Sequence, residues 1–167
     1  MKKRYLGAAA FIAVSLLFGC SNNSSPKNAV TDFSATATVV YGDDKTQYKL
    51  SSNLSEIIMT AESGSMKGLE YRCSDGNIQA IFDDVAITRK QELFNRCTPY
   101  MLYSAIASLR APDELKIKNG ETTSTYSGKN NAGGFCAEIE NDSGYITKIE
   151  YKDNKFSAEL SDVREYK

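Results

Sequence analysis

Residues 33–41 read FSATATVVY, and this stretch determines the first strand and the period that most of the chain follows. Apolar or aromatic side chains stand at every second position, at Phe33, Ala35, Ala37, Val39 and Tyr41. Such alternation predicts a β-strand with one buried face. Gly42-Asp43-Asp44 follows as a turn signal, and Tyr48 and Leu50 then return on one face. A β-hairpin is therefore predicted at the start of the domain.

Short segments of the same kind continue on both sides of residues 90–110. They are separated by turn signals such as Ser74-Asp75-Gly76, Asp83-Asp84 and Asn141-Asp142-Ser143-Gly144. Regularly spaced short strands indicate an antiparallel meander. The predicted strands are Ile57–Glu62, Gly68–Cys73, Asn77–Phe82, Val85–Thr88, Leu115–Lys118, Thr122–Ser127, Gly133–Glu140, Tyr145–Tyr151 and Phe156–Val163.

The period changes once, between Lys90 and Arg110, where apolar residues recur at helical spacing. Thr98 is predicted as the N-cap and Pro99 as the first helical residue, with a separate helical turn at Gln91–Arg96 before them. One apolar stripe is formed by Met101, Leu102, Ala105, Ile106 and Leu109. The predicted helix therefore has a face that must be buried.

About five strands, a helical insertion and about five more strands define the fold class. A sheet of ten to eleven strands curls under its accumulated twist, and its apolar face needs a cover. The sequence predicts an α+β protein, mainly antiparallel β, in which a curved, open half-barrel sheet wraps a helical plug.

The first twenty residues have the features of an export signal. The basic run Lys2–Arg4 precedes an apolar stretch, Tyr5–Phe18, which is shorter than the ~20 residues of a membrane-spanning helix. The stretch ends in Leu17-Phe18-Gly19-Cys20, which resembles the lipobox of bacterial lipoproteins and implies acylation of Cys20. We expect a signal peptide over residues 1–19, a lipidated Cys20 with a flexible tether over residues 20–31, and one domain over residues 32–167. The protein would be exported and held by acyl chains on the extracytoplasmic side of a bacterial membrane, and Ser21 does not decide which membrane.

Composition excludes several kinds of chemistry. The 167 residues carry a formal net charge of -1 and no histidine. A surface for nucleic acid needs an excess of Lys and Arg, and Ser–His or Cys–His catalysis needs a histidine. The acidic pairs Asp43-Asp44 and Asp83-Asp84 fall in predicted turns, which favours solvated side chains over a calcium site or glycosidase carboxylates. We expect no enzyme, no cofactor and no metal, with a histidine-free hydrolase as a remote alternative.

The order of elements resembles the half-barrel lipoproteins and carriers typified by LolA, LolB and LppX. The phrases that carry the resemblance are Phe33–Tyr41 with Tyr48-Lys49-Leu50, Met66–Tyr71, Phe135–Tyr151 and Phe156–Val163. The likeness covers most of residues 32–163. The apolar loop on which insertion of lipoproteins by LolB-type proteins depends has no clear equivalent in this sequence.

The resemblance implies a hollow that shelters a lipid-like ligand, with no nucleic-acid partner. The implied lining residues are Val39, Tyr41, Leu50, Ile58, Leu69, Tyr71, Phe82, Met101 and Ile106. Taken one by one, each of these side chains is better explained as part of the core. The alternative function is therefore an interaction module that binds another envelope protein through a sheet edge, with a filled core and no ligand. A cavity of ~300–1,000 Å³ would favour the ligand, and a solid core would favour the module.

Three cysteines remain after Cys20, at positions 73, 97 and 136. In an exported protein they could form one disulfide and leave one thiol. A Cys97–Cys136 bond is preferred because it would fasten the helix to the sheet. Three free thiols remain an alternative.

Overall fold

The computed structural model describes residues 27–74 and 76–166, and they form an eleven-stranded sheet with one α-helix, α1, over Thr98–Leu109. Sheet order is β6-β5-β4-β3-β2-β1-β11-β10-β9-β8-β7. All ten neighbouring pairs are antiparallel. The strands are β1 Phe33–Tyr41, β2 Asp44–Ser52, β3 Glu56–Ala61, β4 Glu70–Ser74, β5 Asn77–Phe82, β6 Val85–Lys90, β7 Lys116–Asn119, β8 Thr123–Asn130, β9 Gly133–Glu140, β10 Ile146–Tyr151 and β11 Phe156–Glu165. Short 3-10 helices occupy Gln91–Phe94, Pro112–Glu114 and Lys152–Asn154. The open antiparallel sheet with a helical element, predicted from the sequence, is confirmed.

β1 lies at the centre of the sheet, where its alternation places every second side chain in the core. Phe33, Ala35, Ala37 and Val39 are buried, and the residues between them face the outer side. β1 pairs with β2 on one side and with β11 on the other. The last strand thus returns to the first, and two halves of the sheet meet at β1.

The two ends of the strands are distinct. At the β1–β2 end, the backbone N–H of Gly42 donates to the Lys155 carbonyl at 3.1 Å, and Asn154 Nδ2 donates to the Ala132 carbonyl at 3.0 Å. The opposite, β2–β3 end carries the β7–β8 and β9–β10 turns, which Asn141 joins by donating through Nδ2 to the Gly120 carbonyl at 2.9 Å. These bonds satisfy carbonyl groups in the turns, which make no hydrogen bond to a neighbouring strand of the sheet.

Residues 27–31, expected to be part of a flexible tether, lie against the β2–β3 end. The N–H of Val30 donates to the Gly144 carbonyl at 2.8 Å, and Ser52 Oγ donates to the Thr31 carbonyl at 2.6 Å. Gly144 has a φ of +80°, and a Cβ on it would come 2.6 Å from the Asn28 carbonyl oxygen. The side chains of Ala29 and Val30 also pack on the core, so residues 27–31 lie against the domain, and the flexible tether over residues 20–31 stays a prediction. The predicted signal peptide over residues 1–19, and Cys20, lie outside the described residues.

The helix α1 packs against β4 and β8, so it crosses the concave face of the sheet. Its buried side chains include Tyr100, Met101, Leu102, Ala105, Ile106 and Leu109. Burial of each large aliphatic side chain contributes ~1.5–3 kcal/mol. The N-cap is Cys97 and not Thr98 as predicted, and it makes no side-chain capping bond. Pro99 lies within the first turn, where a missing N–H costs nothing.

Candidate functional site

The concave face beneath α1 is a filled core. Four of the predicted lining residues lie there and are buried: Val39, Leu50, Met101 and Ile106. They pack with the other buried side chains in one hydrophobic cluster. Tightly packed side chains leave no room for a ligand. These four residues are thus part of the core in this structure, and Val39 also borders a cavity at the N-terminal end of α1.

A buried polar cluster fixes α1 to the half of the sheet that contains β8 and β10. The Tyr151 hydroxyl donates to the Met101 carbonyl at 3.0 Å and lies 3.0 Å from Ser104 Oγ. Asn130 Nδ2 donates to the same hydroxyl at 2.9 Å. Burial raises the pKa of Tyr151 above its ordinary value. Since each bond satisfies a group removed from water, the cluster holds the helix in one position. This cluster could not be predicted from the sequence, because nothing local distinguishes Tyr151 from other strand tyrosines.

The other end of the helix is fixed to the β2–β3 turn by Arg110. Its guanidinium donates to the carbonyls of Asn53 and Leu54 and lies 3.4 Å from Ser52 Oγ. Arg110 follows directly after the last helical residue, so its charge also lies at the negative end of the helix dipole. Both ends of α1 are thus tied to the sheet.

Beyond the helix, the same concave face is exposed along β5 and β6. The strand register places Phe82 opposite Val85 and Ala80 opposite Ile87, so these four side chains share one face. Phe82, Val85 and Ile87 are 50, 63 and 50% exposed. We call Ala80, Phe82, Val85 and Ile87 the apolar wing. The predicted lining residue Phe82 belongs to it, and the half-buried Leu69 and Tyr71 lie between the wing and the core.

Val85 and Ile87 are not among the predicted lining residues, although their strand is predicted. The two-residue turn Asp83-Asp84 makes Phe82 and Val85 direct neighbours, and positions two residues further along then share their face. That geometry was readable from the sequence.

A cavity of about 280 Å³ opens at the N-terminal end of α1. Its lining combines the predicted residues Val39 and Tyr41 with Tyr48, Met66 and Thr98, and the polar Asp44 and Lys45 lie at its edge. Burial raises the pKa of Tyr48 above its ordinary value. The volume lies at the lower limit of small-molecule sites, ~300 Å³. This cavity could hold one end of an apolar chain under a polar rim.

Ile58 does not face the concave side. Ile57, Met59 and Ala61 are the buried residues of β3, so Ile58 lies between them on the outer face. There it lines a groove of about 480 Å³ with Ser34, Thr36, Ser51 and Thr60. Its prediction as a lining residue was wrong, because Ile57-Ile58-Met59 is a continuous apolar run whose alternation the sequence leaves open.

The three described cysteines are free thiols. Cys136 lies between the buried Phe135 and Ala137 of β9, so it faces the outer side, with Sγ 3.4 Å from Ser127 Oγ. Cys97 packs against the core on the concave side. The predicted Cys97–Cys136 bond is not formed, because the sheet separates the two thiols. Burial, and to a smaller extent the nearby Cys97, raises the pKa of the Cys73 thiol to about 12.

The acidic pairs lie in or beside turns, as predicted, since Asp43 belongs to the β1–β2 turn and Asp83-Asp84 to the β5–β6 turn. Across residues 27–74 and 76–166, no three His, Cys, Asp or Glu side chains are grouped as metal ligands. No helix in these ranges combines the length and apolar character that a bilayer crossing needs.

No protein-family model matches the chain, and no curated protein matches it significantly. Three solved structures are similar in fold. A LolA superfamily protein from Nitrosomonas europaea is 10% identical, with 82% of this chain and 87% of that chain covered and a TM-score of 0.44. The lipoprotein LppX from Mycobacterium tuberculosis is 9% identical, with 83 and 88% covered and a TM-score of 0.42. A DUF1329 family protein from Desulfovibrio piger is 9% identical, with 81 and 86% covered and a TM-score of 0.46. The first two carry names of the half-barrel class that the sequence resembles.

Proposed function

We propose that this chain is a non-enzymatic, membrane-anchored protein that binds or shields a lipid-like ligand on the concave side of its half-barrel. The observation that carries the proposal is the apolar wing, where Phe82, Val85 and Ile87 expose half or more of their surface. Clustered apolar exposure is unfavourable in water and marks a site for an apolar partner. A ligand would lie on the wing and place one end towards the cavity beside Tyr41, Tyr48 and Met66.

Of the nine lining residues first implied, we retain Tyr41, Leu69, Tyr71 and Phe82 as ligand contacts and add Val85 and Ile87. Leu69 and Tyr71 are half-buried and connect the wing to the core. Their aromatic and aliphatic groups suit acyl chains, since such sites are mostly apolar with few polar groups. No fixed polar group is required within the wing for this kind of ligand.

Anchoring by acylated Cys20 is the second part of the proposal. It is supported by the lipobox-like run Leu17-Phe18-Gly19-Cys20 and by the name of LppX, a lipoprotein. Two acyl chains hold a protein on a membrane stably, whereas one is marginal. Membrane fractionation of the full chain and of the Cys20→Ser variant tests the anchor. We expect the unaltered chain in the membrane fraction and the variant outside it. The proposed anchor is contradicted if the variant remains in the membrane fraction as the unaltered chain does.

Native mass spectrometry tests the ligand. The sheet and its core are complete from residue 27 onward, so a chain that starts at Lys27 is incubated with palmitate or phosphatidylglycerol. We expect a bound lipid mass in the unaltered chain and its loss in the Phe82→Ser, Ile87→Ser double variant. The matched control is Ile117→Ser, since Ile117 is 46% exposed on the concave side of the opposite edge strand. A bare mass, or equal loss in the control, contradicts the proposal.

Recognition of another protein through a sheet edge is the second candidate function. The filled core beneath α1 favours it, because Met101 and Ile106 are fully buried and leave little hollow to occupy. In that case the wing would serve as part of a protein interface.

A further inference from the structure

The two edges of the sheet differ in how they are protected. β7 has four residues, of which Lys116 and Lys118 are charged, and such short, lysine-bearing edges resist pairing. β6 has six residues, all exposed, and its first half, Val85–Ile87, is uncharged. The β6 edge therefore offers a longer ladder than the β7 edge, and its two basic residues, Arg89 and Lys90, stand only at its end.

The direction of the β6 backbone groups follows from its pairing with β5. The N–H of Gln91 donates to the Gly76 carbonyl at 2.8 Å, just beyond the last ladder pair. Hydrogen-bonded pairs recur at every second position of an antiparallel ladder, so Ile87 bonds towards β5. The N–H and C=O groups of Ala86 and Thr88 consequently point away from β5, to the free edge. The Thr88 carbonyl accepts a bond there from Arg89 Nη1 at 2.9 Å, an exposed contact that a partner strand could replace.

We propose that two copies of this chain pair antiparallel through β6, about a two-fold axis at Ile87. In this register Ala86 of each copy faces Thr88 of the other, and both residues present outward backbone groups. Each such pair can exchange N–H···O=C bonds in both directions. A closed, symmetric dimer results, because the β6 edges are used and the β7 edges remain protected by lysine.

The side chains of this register are complementary. Asp84 of each copy lies opposite Lys90 of the other, which gives two pairs of opposite charge by symmetry. On the concave side, Ile87 meets Ile87 of the second copy, and Val85 meets the aliphatic stem of Arg89. A shift of the register by two residues in either direction separates Asp84 from Lys90. Charge therefore selects one register among those that the backbone allows.

The proposed dimer is compatible with membrane anchoring of both copies through acylated Cys20. Residue 27 of each copy lies at the β2–β3 end, and antiparallel pairing places these ends on opposite sides of the dimer. A two-fold axis along the membrane normal keeps both ends at the same height. The pairing itself does not rest on the proposed lipid ligand, because its hydrogen bonds are made by the outward backbone groups of Ala86 and Thr88 and its register is selected by Asp84 and Lys90.

Disulfide trapping tests the register in a chain that starts at Lys27 and so lacks Cys20. In a pair that is not hydrogen-bonded, Cα atoms lie ~4.5 Å apart, within the ~4.4–6.8 Å range of disulfides. With oxidised glutathione, Ile87→Cys should form a covalent dimer, whereas Ile117→Cys at the β7 edge and the unaltered chain should not. Equal cross-linking of Ile87→Cys and Ile117→Cys overturns the proposal.

Sedimentation equilibrium on charge variants provides a second, reversible measurement. Asp84→Lys and Lys90→Glu should each weaken the dimer roughly tenfold, since two attractive pairs become repulsive. The Asp84→Lys, Lys90→Glu double variant should return close to the unaltered affinity, because the pairs are restored with exchanged signs. The proposal is overturned if the unaltered chain is monomeric throughout, or if the double variant is as weak as the singles. Absence of bound lipid from an unaltered chain that still forms the dimer would instead contradict only the proposed ligand.

Discussion

The concave face of the sheet is buried in one part of this molecule and exposed in another. Under α1 it is buried and fixed by the Tyr151 cluster, whereas at β5 and β6 the same alternation leaves the apolar wing half exposed. Strand pattern is alike in both parts, with an apolar residue at every second position. The difference is the cover, since α1 packs mainly against β4 and β8, while Phe82, Val85 and Ile87 of β5 and β6 stay half or more exposed. Alternation thus determines the direction of a side chain, and the position of the helix determines whether it becomes core or binding surface.

Truncation of a large side chain should give the largest difference in stability between the covered core and the apolar wing. Ile106→Ala is expected to lower the free energy of unfolding by ~2–5 kcal/mol, because it leaves a cavity in a packed core. Ile87→Ala in the apolar wing should change it by no more than ~0.5 kcal/mol, as at other exposed sites. Urea denaturation of both variants provides the measurement. Similar losses in the two variants would mean that the wing is part of the core.

The polar cluster provides the next largest contrast. Tyr151→Phe removes the hydroxyl that joins Met101, Ser104 and Asn130 and should cost ~1–3 kcal/mol, since buried polar groups lose their partner. The matched control is Tyr166→Phe, whose hydroxyl makes one exposed bond of 2.8 Å to Ser51 Oγ. We expect that control to stay within ~0.5 kcal/mol in the same denaturation experiment. A cost for Tyr151→Phe that also stays within ~0.5 kcal/mol would show that the cluster does not fasten the helix.

Much of the fold could be predicted from the sequence, because strand alternation and turn residues act locally. β5 and β9 were predicted with their observed bounds, and the helix was placed correctly apart from its N-cap. The site was predicted less well. The faces of Ile57 and Ile58 could not be separated in a continuous apolar run, and burial of Val39 or Met101 depends on where the helix packs. Tyr151, Asn130 and Ser104 come from distant parts of the chain, so only the folded structure brings them together.

The smallest expected effect concerns the boundary between the covered core and the apolar wing, where Cys73 of β4 lies. Burial raises the pKa of its thiol to about 12 from an ordinary value of 9.0, so between these values the unfolded chain loses a proton that the folded chain keeps. Stability therefore falls as pH rises through this window, by ~1 kcal/mol at pH 10. Cys73→Val, which keeps the side chain apolar and similar in size, should remove this part of the alkaline loss.

Urea denaturation at pH 8 and pH 10 measures that difference, with Cys136→Val as the control on the outer face. Burial also raises the pKa of Tyr71 to about 12, so a residual alkaline loss is expected in Cys73→Val. If Cys73→Val and the unaltered chain lose equal stability between the two pH values, Cys73 is in contact with water. In that case the cover of α1 would end before β4, and the apolar wing would extend one strand further towards the centre of the sheet.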